Sequence, residues 1–395
     1  MKLSVFDICV EYSQFSRSLH RENHPQSKLK KRLSLIKSIY RHFINSDKFH
    51  EGINRDNLKN KKLVFFGTQN QFNILQKKNI PNSVKMAPSF INSNIPKADF
   101  YYLGWKEALY AILYSYKTIY DFCIETDSFK KSTIWTGLAS YFFALGSYQY
   151  WLSILRKAKP SEVVISNDYN YTNRALIYAA KKLNIKTIYI PHALIGTKFY
   201  TPPLMICDEV YITGELEYQR LIDVLPIKSN ANIKHFSRFE FSSSEINRNN
   251  RYRIGISINS VDDFENVLKE IYILKRFYPG YKFILRPHPT MEFSLGCHCD
   301  LEINNSELIS EYFSLIDIHI SGSSMAHIDS ILHNIPSFIF EFAKDTEYYG
   351  FYENSIIGSV NDLKNSNINF AEILKNQQER VKTLLINLPN KLKGN

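Results

Sequence analysis

The strongest constraint on the fold is that short apolar runs alternate with segments of helical periodicity, and that this alternation starts twice. The first series of runs is KLVFFG (62–67), VVI (163–165), KTIYI (186–190) and EVYIT (209–213). The second is RIGISI (253–258), YKFIL (281–285), IDIHI (316–320) and SFIF (337–340). Buried strands separated by helices pair in parallel through right-handed crossovers. The sequence therefore predicts an α/β protein with two Rossmann-like domains that face each other across a cleft.

The length of the chain agrees with two domains. Its 395 residues exceed what one core usually holds, which is about 100 to 200 residues. The polar residues between 228 and 251, rich in Ser, Asn and Arg from 241 onward, are typical of an interdomain linker. We expect an N-terminal, acceptor-side domain over 1–240 that begins with a basic helical region. A nucleotide-donor-binding domain over 250–375 and a C-terminal helix or tail over 376–395 follow.

The charge of the chain favours anionic partners. Lys and Arg number 49 and Asp and Glu 38, so the formal net charge is +11. No nucleic-acid motif accompanies this charge, so nucleic acid is not expected as a partner, although a basic nucleic-acid or membrane-surface binding protein stays the non-enzyme alternative. Residues 27–44, SKLKKRLSLIKSIYRHFI, form a basic amphipathic pattern that suits either an anionic membrane surface or packing on the first domain.

Compartment and metal content follow from a few further features. The five cysteines are an odd number and no secretory signal is evident, which predicts a cytoplasmic protein, with the inner face of the cytoplasmic membrane as a peripheral location. The uncharged stretch 132–155 contains many Ser, Thr and Tyr residues, so we expect buried helices there and no membrane span. The CHC run at 297–299 lacks a second ligand pair, and no metal site is predicted.

Two loops of the predicted second domain carry residues that suit an anion. RPHP (286–289) follows one predicted strand directly, and SGSS (321–324) follows another and precedes a helix. Carboxyl ends of parallel strands share one edge of the sheet, where Arg and His side chains, Ser hydroxyls and a helix start all attract phosphate. A rigid turn and an ordinary helix cap are the structural alternatives. The candidate donor-binding residues are Arg286, His288, Ser321, Ser323 and Ser324.

The first domain offers a carboxylate and an imidazole at the ends of its own strands. Asp168 follows the strand VVI, and His192 follows KTIYI next to a proline. Either side chain suits a general base or a nucleophile, while a helix-capping role is the alternative for Asp168. Arg238, near the expected hinge, is a further candidate for binding a diphosphate or carboxylate. No Walker loop, GxSxG, HExxH or GxGxxG motif is present, so kinases, ATPases, serine hydrolases, metalloproteases and NAD enzymes lose their usual sequence support.

Residues 160–345 resemble a group of bacterial enzymes. The stretches that carry the resemblance are AAKKLNIKTIYIPHA, HFSRFE, FILRPHP and DIHISGSSMAHIDSILHNIPSFIFE. They are similar to GT-B-fold transferases that build surface polysaccharides, namely the sialyltransferase and Kdo-transferase groups with their HP and paired-Ser motifs, and also the CDP-glycerol glycerophosphotransferases. The first 150 residues carry no such resemblance.

The resemblance implies roles for individual residues. His288 would contact the donor phosphate and assist the leaving nucleotide, Ser323 and Ser324 would bind phosphate or carboxylate, and His192 would be the acceptor-side base. A Gly commonly follows that histidine in the family, whereas Ala193 follows here. Asp168 therefore stays a rival, as the base or, in a retaining enzyme, as the nucleophile.

The resemblance also implies an activity. We expect a metal-independent glycosyltransferase that needs no cofactor and transfers a CMP-activated acidic sugar, such as sialic acid or Kdo, to a growing capsule or lipopolysaccharide glycan. Its partners would be the nucleotide-sugar donor, a glycan or lipid-linked glycan acceptor and an anionic membrane surface. The alternatives of the same fold are a CDP-polyol phosphotransferase, a UDP-sugar glycosyltransferase and a UDP-sugar 2-epimerase.

Overall fold

The structure is a computed structural model, and its residues group into two compact units. It describes residues 3–10, 35–37, 39–40, 58–88, 100–102, 105–135, 137–168, 170–194, 206–224, 231–242, 252–259, 262–288, 301–304, 308–365, 367–389 and 392. Unit 1 comprises Met1–His192, Phe199–Ile212 and Leu221–Phe236, and unit 2 comprises Ala193–Lys198, Thr213–Arg220 and Ser237–Asn395.

Unit 1 is built on a parallel sheet of seven strands in the order β3-β2-β1-β4-β5-β6-β7. The strands are β1 (Lys62–Phe65), β2 (Ser83–Pro88), β3 (Phe100–Tyr102), β4 (Glu162–Ile165), β5 (Lys186–Tyr189), β6 (Glu209–Ile212) and β7 (Asn232–His235). All four apolar runs of the first series therefore form strands, as predicted. The sequence pattern did not reveal β2, β3 and β7.

Strand β7 corrects the prediction that the polar stretch from 228 is only a linker. It lies at the edge of the sheet, where one side of a strand has no neighbouring strand and polar residues are tolerated. Its Lys234 forms an ion pair of 2.9 Å with Glu209 of β6. An edge strand of this kind lacks the continuous apolar run by which buried parallel strands are recognised.

The helices of unit 1 fill the connections between these strands. They are α1 (Val5–Ile8), α2 (Gln69–Lys77), α3 (Trp105–Ile124), α4 (Ser128–Thr133), α5 (Leu138–Ala158), α6 (Tyr171–Lys182) and the last residues of α7 (Glu215–Val224). Most of α5 is buried, and its Trp151 packs edge-on against Phe65 of β1 with ring centroids 5.5 Å apart. The uncharged stretch thus forms a buried helix, as predicted. Within the described residues, no helix combines the length and apolarity that crossing a membrane requires.

Only a small part of the basic stretch 27–44 is described. Residues 35–37 and 39–40 are helical, and Leu35 and Ile39 pack against Ala108, Ala111 and Phe143. Ile36 and Tyr40 are exposed. The other residues of this stretch lie outside the described part of the chain.

Unit 2 is built on a second parallel sheet, with six strands in the order β10-β9-β8-β11-β12-β13. The strands are β8 (Arg253–Ile258), β9 (Lys282–Pro287), β10 (Glu302–Ile303), β11 (Ile318–Ser321), β12 (Ser337–Ile339) and β13 (Gly358–Ser359). The helices that follow α7 are α8 (Phe264–Phe277), α9 (Ile309–Ser314), α10 (Ala326–Leu332) and α11 (Phe370–Val381), with single turns of 3₁₀ and π geometry at Glu341–Thr346, Asp362–Lys364 and Lys382–Ile386.

Local chemistry explains where several of these helices begin and end. The Asp263 carboxylate accepts the backbone N–H groups of Glu265 and Asn266 at the start of α8. The C-terminal helix α11 begins at Phe370, six residues before the predicted boundary at 376, because Asn369 caps it by accepting the Glu372 N–H at 3.2 Å. Val381 and Leu385 then join the core of unit 2.

Candidate functional site

Each sheet contains one point at which the order of strands reverses. The chain leaves β1 to one side and returns to its other side at β4, and it does the same at β8 and β11 in the second sheet. Loops that follow the two strands at such a switch point diverge, and the crevice between them is where open α/β sheets bind ligands. In each unit, the loops that follow the two switch-point strands are therefore the expected place for a ligand.

The register of the second sheet places two candidate residues, Arg286 and Ser321, in one row with Ser257. Arg286 pairs with Ser257, and Ser257 pairs with Ser321, so the three residues lie side by side on β9, β8 and β11. Neighbouring strands are about 4.8 Å apart, so the row from Arg286 to Ser321 measures about 10 Å between Cα atoms.

Arg286 and His288 present cationic and polar groups at the end of β9. Arg286 is half-buried, and its guanidinium lies 5.8 Å from the centre of the Tyr312 ring. His288 is exposed, and its backbone N–H donates to the carbonyl of Ile258 at 2.9 Å. This backbone bond holds the loop against β8, so the imidazole stays at the carboxyl edge of the sheet. The pair suits the binding of an anion by a permanent cation and a neutral or charged imidazole.

The serine loop after β11 is held by hydrogen bonds on both sides. The Ser323 hydroxyl accepts the backbone N–H of Tyr348 at 2.8 Å, and the Ser323 carbonyl accepts Nδ2 of Asn259 at 2.8 Å. The Ser324 hydroxyl accepts the N–H of Ala326 at 3.1 Å. The Ser324 hydroxyl therefore binds the first residue of α10, whose N-cap is Met325. Both serines are half-buried and remain candidates for a ligand.

Ser321 lies inside the second sheet. Its side chain is fully buried, and its hydroxyl donates to the carbonyl of Ser257 at 2.9 Å. The hydroxyl is therefore used inside the sheet, where it joins β11 to β8. The predicted donor contact of Ser321 is not supported by this geometry.

Gly322 brings the two switch-point loops of unit 2 into direct contact. A Cβ atom at this position would overlap Oδ1 of Asp262, so only glycine fits there. The other carboxylate oxygen of Asp262 accepts the backbone N–H of Asn259 at 2.7 Å. Neither Asn259 nor Asp262 was predicted as a site residue, although Asn259 follows the buried strand β8 directly, as RPHP follows its own strand.

Two buried histidines lie beneath the serine loop. His327 Nε2 lies 2.7 Å from the Gly322 carbonyl, and its Nδ1 lies 2.7 Å from the Ser337 hydroxyl. The same hydroxyl lies 2.9 Å from Nδ1 of His319, whose Nε2 lies 3.0 Å from the Ser257 hydroxyl. This set, which we call the histidine network, connects the central strands to the loop that carries the two serines.

Each proton of the histidine network has a defined place. The Gly322 carbonyl only accepts, so His327 Nε2 carries a proton and its Nδ1 accepts from the Ser337 hydroxyl. Ser337 then accepts from Nδ1 of His319, and Nε2 of His319 accepts from Ser257. Burial lowers the pKa of His327 to about 4, and burial together with the charges of His327 and Arg286 holds the pKa of His319 well below its usual value. Both histidines are therefore neutral at pH 7.

In unit 1, His192 is oriented by the loop that follows β4. Its backbone N–H donates to the Ser166 carbonyl at 3.3 Å, and its Nδ1 lies 2.7 Å from the same oxygen. Because a carbonyl only accepts, Nδ1 carries the proton of the neutral ring and Nε2 is the basic nitrogen. The side chain is half-buried. This is the arrangement that a general base requires.

Asp168 lies in the interior of unit 1. It is fully buried, and its backbone carbonyl accepts Nη1 of the buried Arg174 at 3.4 Å. The Arg174 Nε donates to the Asp7 carbonyl at 3.0 Å, so the same side chain joins α1 to the loop after β4. A nucleophile must reach its substrate, and burial makes Asp168 the weaker of the two first-domain candidates. Its catalytic assignment stays a prediction.

Arg238 is placed at the start of the last segment of unit 2. It is largely buried, and its guanidinium lies 4.9 Å from the centre of the Phe239 ring. Its positive charge also opposes the effect of burial, which raises the pKa of Tyr349 to about 12. Arg238 therefore lies among aromatic side chains, and its predicted contact with a donor stays a prediction.

The described residues show no metal centre. Among them, no group of three or more His, Cys, Asp and Glu side chains could hold a metal ion. Cys297 and Cys299 lie outside the described part of the chain.

Comparisons with known proteins were informative at the level of the fold. No protein-family model and no curated protein sequence matches the chain. Similar solved structures include the calicheamicin glycosyltransferase CalG4, with a TM-score of 0.50, 7% identity and coverage of 81% of this chain and 94% of that one. The wall teichoic acid polymerase TagF gives a TM-score of 0.48, 14% identity and coverage of 92% and 94%. UDP-GlcNAc 2-epimerase from Neisseria meningitidis gives a TM-score of 0.47 and 14% identity, with coverage of 80% of this chain and 94% of that one.

Identities this low concern the fold alone. The similarity to CalG4 extends over most of both chains and agrees with the two parallel sheets, each with its own switch point. The chain therefore has the two-domain α/β GT-B fold, as the sequence predicted.

Proposed function

We propose that the chain is a glycosyltransferase that moves a sugar from a nucleotide-activated donor to a hydroxyl group of an acceptor. The observation that carries this proposal is the row of strand residues at the switch point of unit 2. Arg286 lies in the same row as Ser321, where the serine loop begins, and the exposed His288 follows at the end of β9. A permanent cation, an imidazole and two half-buried hydroxyls form a site for the phosphate of a leaving nucleotide.

The reaction needs a base for the acceptor hydroxyl and a group that stabilises the leaving phosphate. The acceptor oxygen attacks the anomeric carbon, its proton passes to Nε2 of His192, and the bond between that carbon and the donor phosphate breaks. The negative charge that develops on the leaving phosphate is stabilised by Arg286 and His288. The Ser166 carbonyl keeps the base in the required tautomer.

The donor that we propose is a CMP-activated acidic sugar, and the product a capsule or lipopolysaccharide glycan. Support for this choice comes from the resemblance to the HP and paired-Ser motifs, which fall on His288 and on Ser323 and Ser324. We further propose that no metal ion takes part, so transfer is expected to persist in EDTA.

Nucleotide binding is the first test. Thermal unfolding is measured with CMP, CDP, UDP, GDP and ADP, and CMP at a hundredfold excess over its dissociation constant should stabilise the protein by about 2.7 kcal/mol. Arg286→Ala and His288→Ala should weaken this binding at least about tenfold, because each removes a charged or polar partner of the phosphate. Arg276→Ala, an exposed arginine near the end of α8, is the matched control and should bind as wild type does.

The transfer step is tested separately. His192→Ala should keep nucleotide binding and lower the transfer rate by about 10²- to 10⁴-fold, which is the usual contribution of a general base. Binding of CDP together with polyol phosphate transfer would replace the proposal by a CDP-polyol phosphotransferase, and a preference for UDP would point to a UDP-sugar enzyme. Failure to bind any nucleotide would overturn the proposal.

A further inference from the structure

Helix α3 exposes an apolar face that ordinary surface helices do not have. Its large exposed side chains include Leu109, Ile112, Leu113, Tyr116, Ile119 and Ile124, of which Tyr116 is 68% exposed. The spacing of three and four residues places them on one side of the helix, over its whole length. We call this side the outer face of α3.

The acidic residues of α3 lie on the opposite side, inside unit 1. Glu107 is buried and accepts the hydroxyl of Ser147 from α5. Asp121 is buried and accepts the backbone N–H of Val5 from α1 at 2.8 Å. Both acids of α3 are thus buried together with small residues such as Ala108 and Ala111, whereas large apolar side chains of the same helix meet solvent. In a soluble helix with no partner the arrangement is the reverse.

The charged side chains on the exposed part of α3 are lysines. Lys106 is exposed, and the half-buried Lys117 donates from Nζ to the Leu3 carbonyl at 2.6 Å. The helical residues that pack against Ala108 and Ala111 add an exposed Lys37 together with the exposed Ile36 and Tyr40. An apolar helix face with exposed lysines and aromatic rings and no acid of its own has the composition of helices that lie in the membrane interface.

We infer that the outer face of α3 lies on an anionic lipid bilayer, parallel to its surface. Large apolar side chains would enter the boundary between headgroups and acyl chains, while Lys106 and Lys37 would meet the anionic headgroups. A second copy of this chain is a less suitable occupant, because a twofold contact would bring the same lysines of both copies together without an acid on either helix face. This inference does not depend on the proposed activity.

Vesicle flotation of the full-length chain tests the inference. Wild type is expected to float with vesicles of phosphatidylcholine containing phosphatidylglycerol, and to float less with pure phosphatidylcholine or at high salt. The double variant Leu113→Glu/Ile119→Glu should bind vesicles at least about tenfold more weakly. Two apolar side chains that would enter the bilayer are replaced by negative charges that the anionic headgroups repel.

A matched variant controls for the added charge. Phe277→Glu/Leu308→Glu changes two side chains of unit 2 that are 50% and 59% exposed, close to the 57% and 59% of Leu113 and Ile119. This variant should float as wild type does. Thermal unfolding of both variants shows whether either has lost its fold.

Intrinsic fluorescence gives a second readout. The chain has three tryptophans, of which Trp151 is fully buried while Trp105 and Trp135 are exposed. Since Trp105 lies on α3, vesicles should shift the emission of wild type to shorter wavelength, and Trp105→Phe should reduce the shift. Equal flotation of wild type and Leu113→Glu/Ile119→Glu would overturn the inference. Failure of wild type to float would also overturn it. If sedimentation without vesicles then showed that wild type is a dimer and the variant is not, the outer face of α3 would be a contact between two copies of the chain.

Discussion

The hydrogen bonds of single residues explain why the serine loop of unit 2 keeps one conformation. His327 and His319 are too deeply buried to bind a ligand, yet each uses both ring nitrogens. The amide of Gln377 completes the network, because it accepts the Ser337 N–H at 2.9 Å and donates to the Ser337 carbonyl at 2.7 Å. A buried network in which every member has a partner rigidifies what it connects. The histidines therefore act as positioning residues for the loop.

The neutral state of these histidines predicts a pH dependence of stability. The pKa of His327 is lower in the folded protein than the usual value of 6.5, so the unfolded chain binds more protons between about pH 6.5 and 4. The free energy of unfolding should fall as the pH falls through this range, by up to about 1.4 kcal/mol per pH unit for each such group.

The variant His327→Gln isolates this effect. Glutamine can still donate to the Gly322 carbonyl but does not titrate, so urea unfolding between pH 7.5 and 4.5 should show a shallower loss of stability. His333→Gln is the control, since His333 is half-buried and its Nδ1 bonds only within its own helix region, to the Asp329 carbonyl at 2.7 Å. Identical pH profiles for wild type and His327→Gln would contradict the assigned neutral state.

At the scale of elements, the close contact of α3 and α5 determines which side of α3 is buried. The two helices meet where Gly146 of α5 lies against the backbone of Ala111, and an added Cβ at Gly146 would overlap the Ala111 N and Cα atoms. Small residues on both helices allow this approach, and the neighbouring Ser147 and Glu107 form their hydrogen bond there. Because the side of α3 that carries Ala111 and Glu107 packs on α5, the side with the large apolar residues faces outward.

The contact predicts an unusual effect for a helical Gly→Ala change. In an exposed helix Gly146→Ala would stabilise by about 1 kcal/mol, but overlap with backbone atoms should make it destabilising by about 1 to 3 kcal/mol. Gly280→Ala serves as the control, because an added Cβ there meets no atom within 4 Å. Urea unfolding measures both, and a Gly146→Ala protein as stable as wild type would show that the helices do not approach this closely.

At the scale of the whole molecule, unit 2 does not begin at a single point of the chain. Thr213–Arg220 precedes β7 of unit 1 but groups with unit 2. Its Leu216 belongs to the core of unit 2, Arg220 donates to the Tyr349 carbonyl, and Gly214 lies so close to Leu384 that an added Cβ would be 2.6 Å from its carbonyl oxygen. The predicted boundaries, 1–240 and 250–375, treat each domain as one continuous stretch.

Two fragments test whether this segment is part of the second domain. A fragment of residues 213–395 should be more stable to urea than one of residues 237–395 by about 2 to 5 kcal/mol, because the shorter one loses the burial of Leu216 and the hydrogen bond of Arg220. Equal stability of the two fragments would support the simpler boundary at the linker.

Much of the fold follows from the sequence because buried parallel strands have a local signature. Eight apolar runs, from KLVFFG to SFIF, coincide with strands, and the alternation with helices already implies the two sheets. The polar residues that follow β4, β5, β9 and β11 are candidates for the same reason, since the carboxyl ends of parallel strands share an edge. Strands such as β7, β10 and β13 were missed because edge or two-residue strands have no such signature.

Only the tertiary structure decided how the individual polar groups are used. The sequence cannot show that the Ser321 hydroxyl is directed into the sheet, that Asp168 is buried or that His319 and His327 share one serine, because these contacts join residues that are distant in the chain or depend on the register of strands. The apolar outer face of α3 is the clearest case. Periodicity identifies an amphipathic helix, but which of its sides is buried depends on the neighbouring helix. Here Gly146 and Ser147 of α5 contact the side that carries Ala111 and Glu107.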